Sequence, residues 1–179
     1  MAKAPAKTDA IALLKADHRK VEELFAKFEA ARGAERKQAI AKQICTELSV
    51  HATIEEEIFY PACNGAAEED KLDEAYVEHD GAKVLISEIA NGSPDDEFYD
   101  AKVKVLSEMI KHHVKEEEKP KEGIFAQAKA ADLDLQALGE QLMQRKQELM
   151  AEIESGGLPD PQTRSFTGHT LVQSAPRAQ

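Results

Sequence analysis

The sequence predicts an all-α protein, and three observations carry that reading. Apolar residues recur at alternating steps of three and four, a spacing that one face of a helix produces and a strand cannot. No stretch of the 179 residues reads as a strand. The periodic stretches are separated at Gly33, Pro61, Asn64-Gly65, Asn91-Gly92 and Pro120 by residues that end helices or open turns. Four long helices in succession are expected to form an antiparallel up-down-up-down four-helix bundle, followed by an extra C-terminal helical segment and a flexible tail.

Residues 1–7, MAKAPAK, are small and basic without a pattern and are expected to be loose. Thr8 or Asp9 caps a first helix whose inner stripe is Ile11, Leu14, His18, Val21, Phe25 and Phe28, and Gly33 ends it. The second helix runs from about Ala34 to Tyr60, with Ile40, Ile44, Leu48, His51, Glu55 and Ile58 on one stripe, and Pro61 stops it. Residues 62–70 connect it to a third helix. There Leu72, Ala75, His79, then Lys83 or Ala82, then Ile86 and Ala90 face inward, up to the stop at Asn91-Gly92.

Ser93-Pro94-Asp95-Asp96 reads as a helix start, with an N-cap, a proline at the first position and acids in the first turn, so the fourth helix is expected from Ser93 to about Lys119. At that length His113 lies roughly 12 Å too deep to be level with His79, at about 1.5 Å per residue. The fourth helix must therefore start late or overhang. After Pro120 a short Ala-rich stretch, Gly123 to Ala131, precedes a last helix capped by Asp132 or Asp134, with Leu135, Leu138, Leu142, Leu149 and Ile153 on its stripe. That stripe carries no ligand-type residue, so the helix serves as a cover or as an oligomerisation surface. Residues from Gly156 onward lack any period and are expected to be mobile. The organisation is thus a bundle over 9–120, a helical extension over 121–155 and a tail over 156–179.

Each of the four long helices places one histidine on its inward stripe: His18, His51, His79 and His113. Two of them add a carboxylate one turn on, Glu55 after His51 and Glu117 after His113, and residues at i and i+4 share a face. One buried histidine is ordinarily a core residue satisfied by a hydrogen bond. Four together with two carboxylates call for compensation, and bundles hold metal ions with inward side chains on facing helices. His112 falls on a neighbouring face with Val105, Met109 and Glu116, as a surface or supporting side chain or, alternatively, a replacement for His113. The other members of the triplets Glu55-Glu56-Glu57 and Glu116-Glu117-Glu118 read as solvated faces. His169, in the tail, is expected to be free of the site.

The segments DHRKVEELF around His18, HATIEEEIFYP around His51 and Glu55, EHDGAKVLISEI around His79 and HHVKEEE around His113 and Glu117 resemble the hemerythrin-like, HHE cation-binding domains. The resemblance covers about residues 9–120 and implies a four-helix bundle holding two non-haem iron ions. It implies that His18 and His51 bind one iron and His79 and His113 the other, with Glu55, Glu117 and an oxo or hydroxo group bridging them. Zinc or manganese would also accept imidazole and carboxylate donors. Two positions depart from the oxygen-carrying members. Lys83 stands where they have a fifth histidine, and Glu117 lies four residues after His113 where they have an aspartate at five. The site is one protein ligand short, and Lys83 either snorkels out or lies beside the ligands while a nearby acid such as Glu78, Asp80 or Glu116 swings in. The function implied is binding or sensing of dioxygen or a related small ligand such as peroxide or nitric oxide. The alternatives are a di-iron peroxidase, oxidase or nitric-oxide-handling enzyme, an iron-sensing regulatory module, or a metal-free helical protein.

Composition narrows the partners. With 34 acidic residues against 23 Lys and Arg the net charge is −11, which disfavours nucleic acid and anionic membranes. No apolar run reaches the roughly 20 residues of a membrane span, and Met1 to Thr8 lacks the apolar core of a secretory signal. A cytoplasmic protein is expected. Cys45 and Cys63 have neither metal nor framework spacing and read as reduced thiols.

Overall fold

The structure is a computed structural model and describes residues 8–168; the expectations for residues 1–7 and for His169 fall outside them. Its helices are α1 (Ala10–Ala30), α2 (Ala34–Ile54), α3 (Tyr60–Cys63), α4 (Glu69–Ala90), α5 (Tyr99–Glu117), α6 (Ile124–Ala130) and α7 (Leu135–Gly156), with a π-helical turn, Glu55–Phe59, joining α2 to α3. Among the described residues no strand forms and no helix is long and apolar enough to cross a membrane. Helix α1 packs on α2, α2 on α4, α4 on α5 and α5 on α1, which closes the four-helix bundle. Asp9 caps α1 by accepting from the Ala12 amide at 2.8 Å, and Asp134 caps α7 by accepting from Ala137 at 3.0 Å.

Two apolar clusters fill the bundle. One joins Val21, Phe25, Phe28, Ile44, Leu48, Ile86, Leu106 and Ile110. The other joins Leu14, Val50, Ile54, Phe59, Leu72, Phe125, Leu142 and Leu149. Truncating one of their phenylalanines to alanine costs about 3–5 kcal/mol. Helix α7 lies against α1, α2 and the π turn, burying Gly139, Leu142 and Leu149. A Cβ at Gly139 would strike the backbone of Thr8 and Ala10. The apolar stripe of α7 is therefore spent on its own bundle, as a cover.

Three expectations need correction. Pro61 does not stop the second helix but sits inside α3, next to the π turn. That turn inserts an extra residue, so the backbone one turn back is displaced and the proline ring is accommodated. Ser93-Pro94 forms a turn, not a helix start: Asp96 Oδ2 accepts from the Ser93 amide at 2.7 Å, and the fourth long helix begins at Tyr99. The late start brings His113 towards the level of His79. Finally, the segment after Gly156 has no regular secondary structure but is anchored over residues 158–165. Leu158 packs on the first cluster, and Asp80 Oδ2 accepts from the Arg164 amide (2.9 Å) and from the Ser165 amide and hydroxyl (2.6 Å each). Asp80 is fully buried, and a buried carboxylate requires donors that an aperiodic backbone can supply.

Candidate metal centre

Between the two apolar clusters lies one polar layer. His18 on α1, His51 on α2, His79 on α4 and His113 on α5 all turn Nε2 inward, and Glu55 and Glu117 lie among them. All six are at most 6% exposed. The Nε2 atoms pair at 3.1 Å, His18 with His51 and His79 with His113. Glu55 Oε2 stands 3.2 Å from His51 Nε2 and 3.4 Å from His79 Nε2, and Glu117 Oε2 stands 3.4 Å from His18 Nε2 and 3.5 Å from His113 Nε2. Each carboxylate thus spans one histidine of each pair. The structure brings together all six residues singled out in the sequence.

Each outer ring nitrogen faces a carboxylate. His18 Nδ1 is 2.8 Å from Glu118, His79 Nδ1 is 3.0 Å from Glu56, His113 Nδ1 is 2.7 Å from Glu78, and His51 Nδ1 is 3.6 Å from Asp17. For His18, His79 and His113 these hydrogen bonds fix the tautomer that leaves Nε2 free for a metal, whereas His51 Nδ1 and Asp17 Oδ2 are too far apart to bond. Asp17, Glu56 and Glu118 were not expected to take part, and Glu78, expected as a possible substitute ligand, instead holds a histidine from outside. Every one is the sequence neighbour of an inward residue but serves a histidine on another helix.

A further residue enters through the π turn. Because the Tyr60 amide bonds to the Glu55 carbonyl, five residues back, Tyr60 comes to lie above Glu55, where an α-helix would have put Phe59. Its hydroxyl donates to Glu117 Oε1 at 2.7 Å and lies 3.4–3.5 Å from Glu55 Oε2, His79 Nε2 and His113 Nε2. The phenol ring stacks on His79 (centroids 5.5 Å), and on the opposite side Phe125 stacks on His18 (5.7 Å). Lys83 points away from the layer: its Nζ reaches Glu56 at 2.8 Å and the Gln162 carbonyl at 3.0 Å. Glu78 is held by His113 and Asp80 by Ser165, so neither swings in. His112 is exposed and 3.4 Å from Glu78, not in the layer.

The electrostatics fit a cation. Burial pushes His51 down, but Glu55 and Asp17 outweigh it and raise the imidazole to about 10. His113 is likewise raised against the pull of burial, by Glu117 and Glu78. Burial, then the charge of His113, moves His79 the other way. Burial would raise Glu117, yet His113 and His18 hold it well below the usual carboxylate range. Tyr60 is pushed far up by burial and by Glu117 and Glu55, so it stays a phenol. Protons here stand where positive charge is wanted. Glu55 Oε1 and Glu117 Oε2 remain buried without a hydrogen-bond partner, which a metal ion would remedy. The donor atoms fall into two groups, His18, His51, Glu55 and Glu117, and Glu55, His79 and His113, each within 4.8 Å, and the shared Glu55 links them. On the side of the first apolar cluster the histidines border a cavity of about 20 Å³ walled by Val21, Leu48, Ile86, Ile110 and Val114, with Asp17 and Lys83 also on its border.

Residues 9–120 match the hemerythrin HHE cation binding domain. The chain belongs to that family. It is a metal-binding, hemerythrin-like helical bundle. A hemerythrin HHE cation binding domain-containing protein of Mycobacterium kansasii has the same fold, with a TM-score of 0.70 and 22% identity over 84% of this chain and 94% of that one. A Nostoc protein described as a DNA nickase is 30% identical over 106 residues, 59% of this chain. The chain spans only 30% of that relative's length.

Proposed function

We propose that this hemerythrin-like protein holds two iron ions and binds or senses dioxygen or a related small ligand such as peroxide or nitric oxide. His18 and His51 would hold one ion, His79 and His113 the other, and Glu55 and Glu117 would bridge them. With Lys83 turned away, the Tyr60 hydroxyl would be the oxygen nearest the ion on the side of His79 and His113. Iron supplies reversible redox chemistry and open coordination positions; zinc and manganese would accept the same donors without the same reactivity towards oxygen.

The observation that carries this reading is the pair of buried carboxylates that each reach one histidine of either Nε2 pair through Oε2 and each keep one oxygen without a hydrogen-bond partner. The cavity beside them is of a size for one small molecule, since about 10–15 Å³ holds a water, and apart from the histidines, Asp17 and Lys83 its walls are aliphatic, which suits a small uncharged ligand. Outer carboxylates on His18, His79 and His113 keep their Nε2 atoms aimed. The nickase activity named for the Nostoc relative is not carried over, because a net charge of −11 opposes contact with DNA. Free, buried Cys45 and Cys63 suit the reducing cytoplasm.

The test is anaerobic metal analysis of the purified protein with optical spectra before and after dioxygen, peroxide or nitric oxide. Two irons per chain and a ligand-dependent spectrum are expected. Zinc alone, or no metal, would overturn the reading.

A further inference from the structure

We propose that Glu74, Glu78 and His112 form a port through which a divalent cation enters the buried centre, an inference that rests on the two-ion reading above. The four outer carboxylates are not alike. Asp17 is paired with Lys146, Glu118 with Arg19 at 2.7 Å and Glu56 with Lys83 at 2.8 Å. A fixed ammonium or guanidinium at each of these repels an incoming cation. Glu78 pairs with no Lys or Arg among the described residues; one of its oxygens accepts from His113 Nδ1 at 2.7 Å and the other faces His112 Nε2 at 3.4 Å. The imidazole of His112 is 60% exposed and, when neutral, is itself a metal ligand. Glu74, Glu78 and His112 each offer a donor atom, and these atoms lie within 4.8 Å of one another.

A second observation gives this cluster a direction. A crevice of about 10 Å³ is lined by Glu74, Glu78 and Glu116 and reaches His113 and Glu117. Glu117 is 2% exposed, and its Oε2 has no hydrogen-bond partner. Lys71 also borders the crevice but forms no ion pair with those acids. Exposed donors outside, a carboxylate shared with an inner histidine, and the buried Glu117 at the inner end, whose unpartnered Oε2 turns to His18 and His113, make a graded path for a cation that sheds its water stepwise. Acid-lined clefts raise local cation concentration and association rates by about 10-fold or more.

The test uses the full-length protein stripped of metal, with cobalt(II) as the probe and its absorption followed anaerobically by rapid mixing. E74Q with H112Q alters only the port. It should bind the same final number of ions as the wild type but about tenfold more slowly. Glu154→Gln, which removes one charge from the exposed face of α7, should load at the wild-type rate. His112→Lys gives Glu78 the fixed cation the other three carboxylates have and should slow loading at least as much. Wild-type loading rates in both port variants, or equal slowing in the Glu154 control, overturn the port. A wild type that binds fewer than two ions instead overturns the two-ion reading.

Discussion

Glu118 reaches from the end of α5 to Nδ1 of His18 on α1, 2.8 Å away, while Glu117 beside it turns into the metal layer. In the proposed centre one carboxylate would ligate and its neighbour would aim a histidine on another helix. Removing the aiming group should therefore weaken metal binding without unfolding the bundle. For Glu118→Ala and Glu56→Ala we expect a loss of about 10–100-fold in affinity, read by competition with a chelator. His51→Ala and Glu55→Ala should abolish binding of at least one ion. Unchanged affinity in the first pair would mean the outer contacts orient nothing.

Tyr60→Phe separates the phenol from the ring. The stacking on His79 survives, whereas the oxygen near Glu55, Glu117, His79 and His113 is lost. Metal content should stay at two ions while the optical spectrum of the oxidised protein and its response to peroxide change. An identical spectrum would exclude the phenol from the metal's surroundings.

Metal uptake should release protons. In the metal-free protein His51 is raised from 6.5 to about 10, so near neutral pH it carries a proton that a metal must displace. Apparent affinity should therefore rise with pH, and adding zinc(II) to weakly buffered metal-free protein at pH 7 should acidify the solution. The same shift bears on stability. A raised pKa contributes stability that is complete below 6.5 and is lost as pH rises through about 10, so the melting temperature of the metal-free protein should fall over that window. A flat alkaline limb would contradict the pairing of His51 with Glu55 and Asp17.

Both cysteines should be inert in the folded state. Burial pushes the thiols of Cys45 and Cys63 up to about 12, which leaves almost no thiolate at neutral pH. Alkylation by iodoacetamide at pH 8 should appear only on unfolding. Labelling of the native protein at either position would show an opening that reaches the core.

Truncation after Gly156 should leave the bundle folded but less stable. It removes three hydrogen bonds to the buried Asp80, the Gln162 carbonyl from Lys83 and the Arg164 guanidinium from above Tyr76. At about 1 kcal/mol per hydrogen bond and more for a charged partner, a loss of about 2–4 kcal/mol is expected in chemical denaturation. Ser165→Ala should show a fraction of that loss. No change would mean that water replaces the segment at no cost.

The six inner residues were legible because each lies on an apolar stripe whose period is local to its own helix. What the sequence could not disclose is what depends on two helices at once. Glu56 and Glu118 read as solvated acids and Glu78 as a substitute for the ligand missing at Lys83, and Asp17 carried no signal; each is adjacent to an inward residue, and it takes the packed neighbour to make use of that angle. Tyr60 was hidden by a backbone irregularity: an α-helical count places Phe59, not Tyr60, over Glu55, and only the π turn shifts the register. The docking of residues 158–165 was hidden because extended segments bind through backbone groups, which leave no periodic trace.

The π turn has a consequence for the two halves of the centre. Each half supplies a histidine pair and a carboxylate, but one end faces a phenol and the other the phenyl ring of Phe125. In the two-ion reading the positions are therefore unequal in polarity and donor number, although the inner residues nearly mirror each other. A titration with metal should therefore fill them in two steps. A single inserted residue thus turns a nearly symmetric cage into one with a direction.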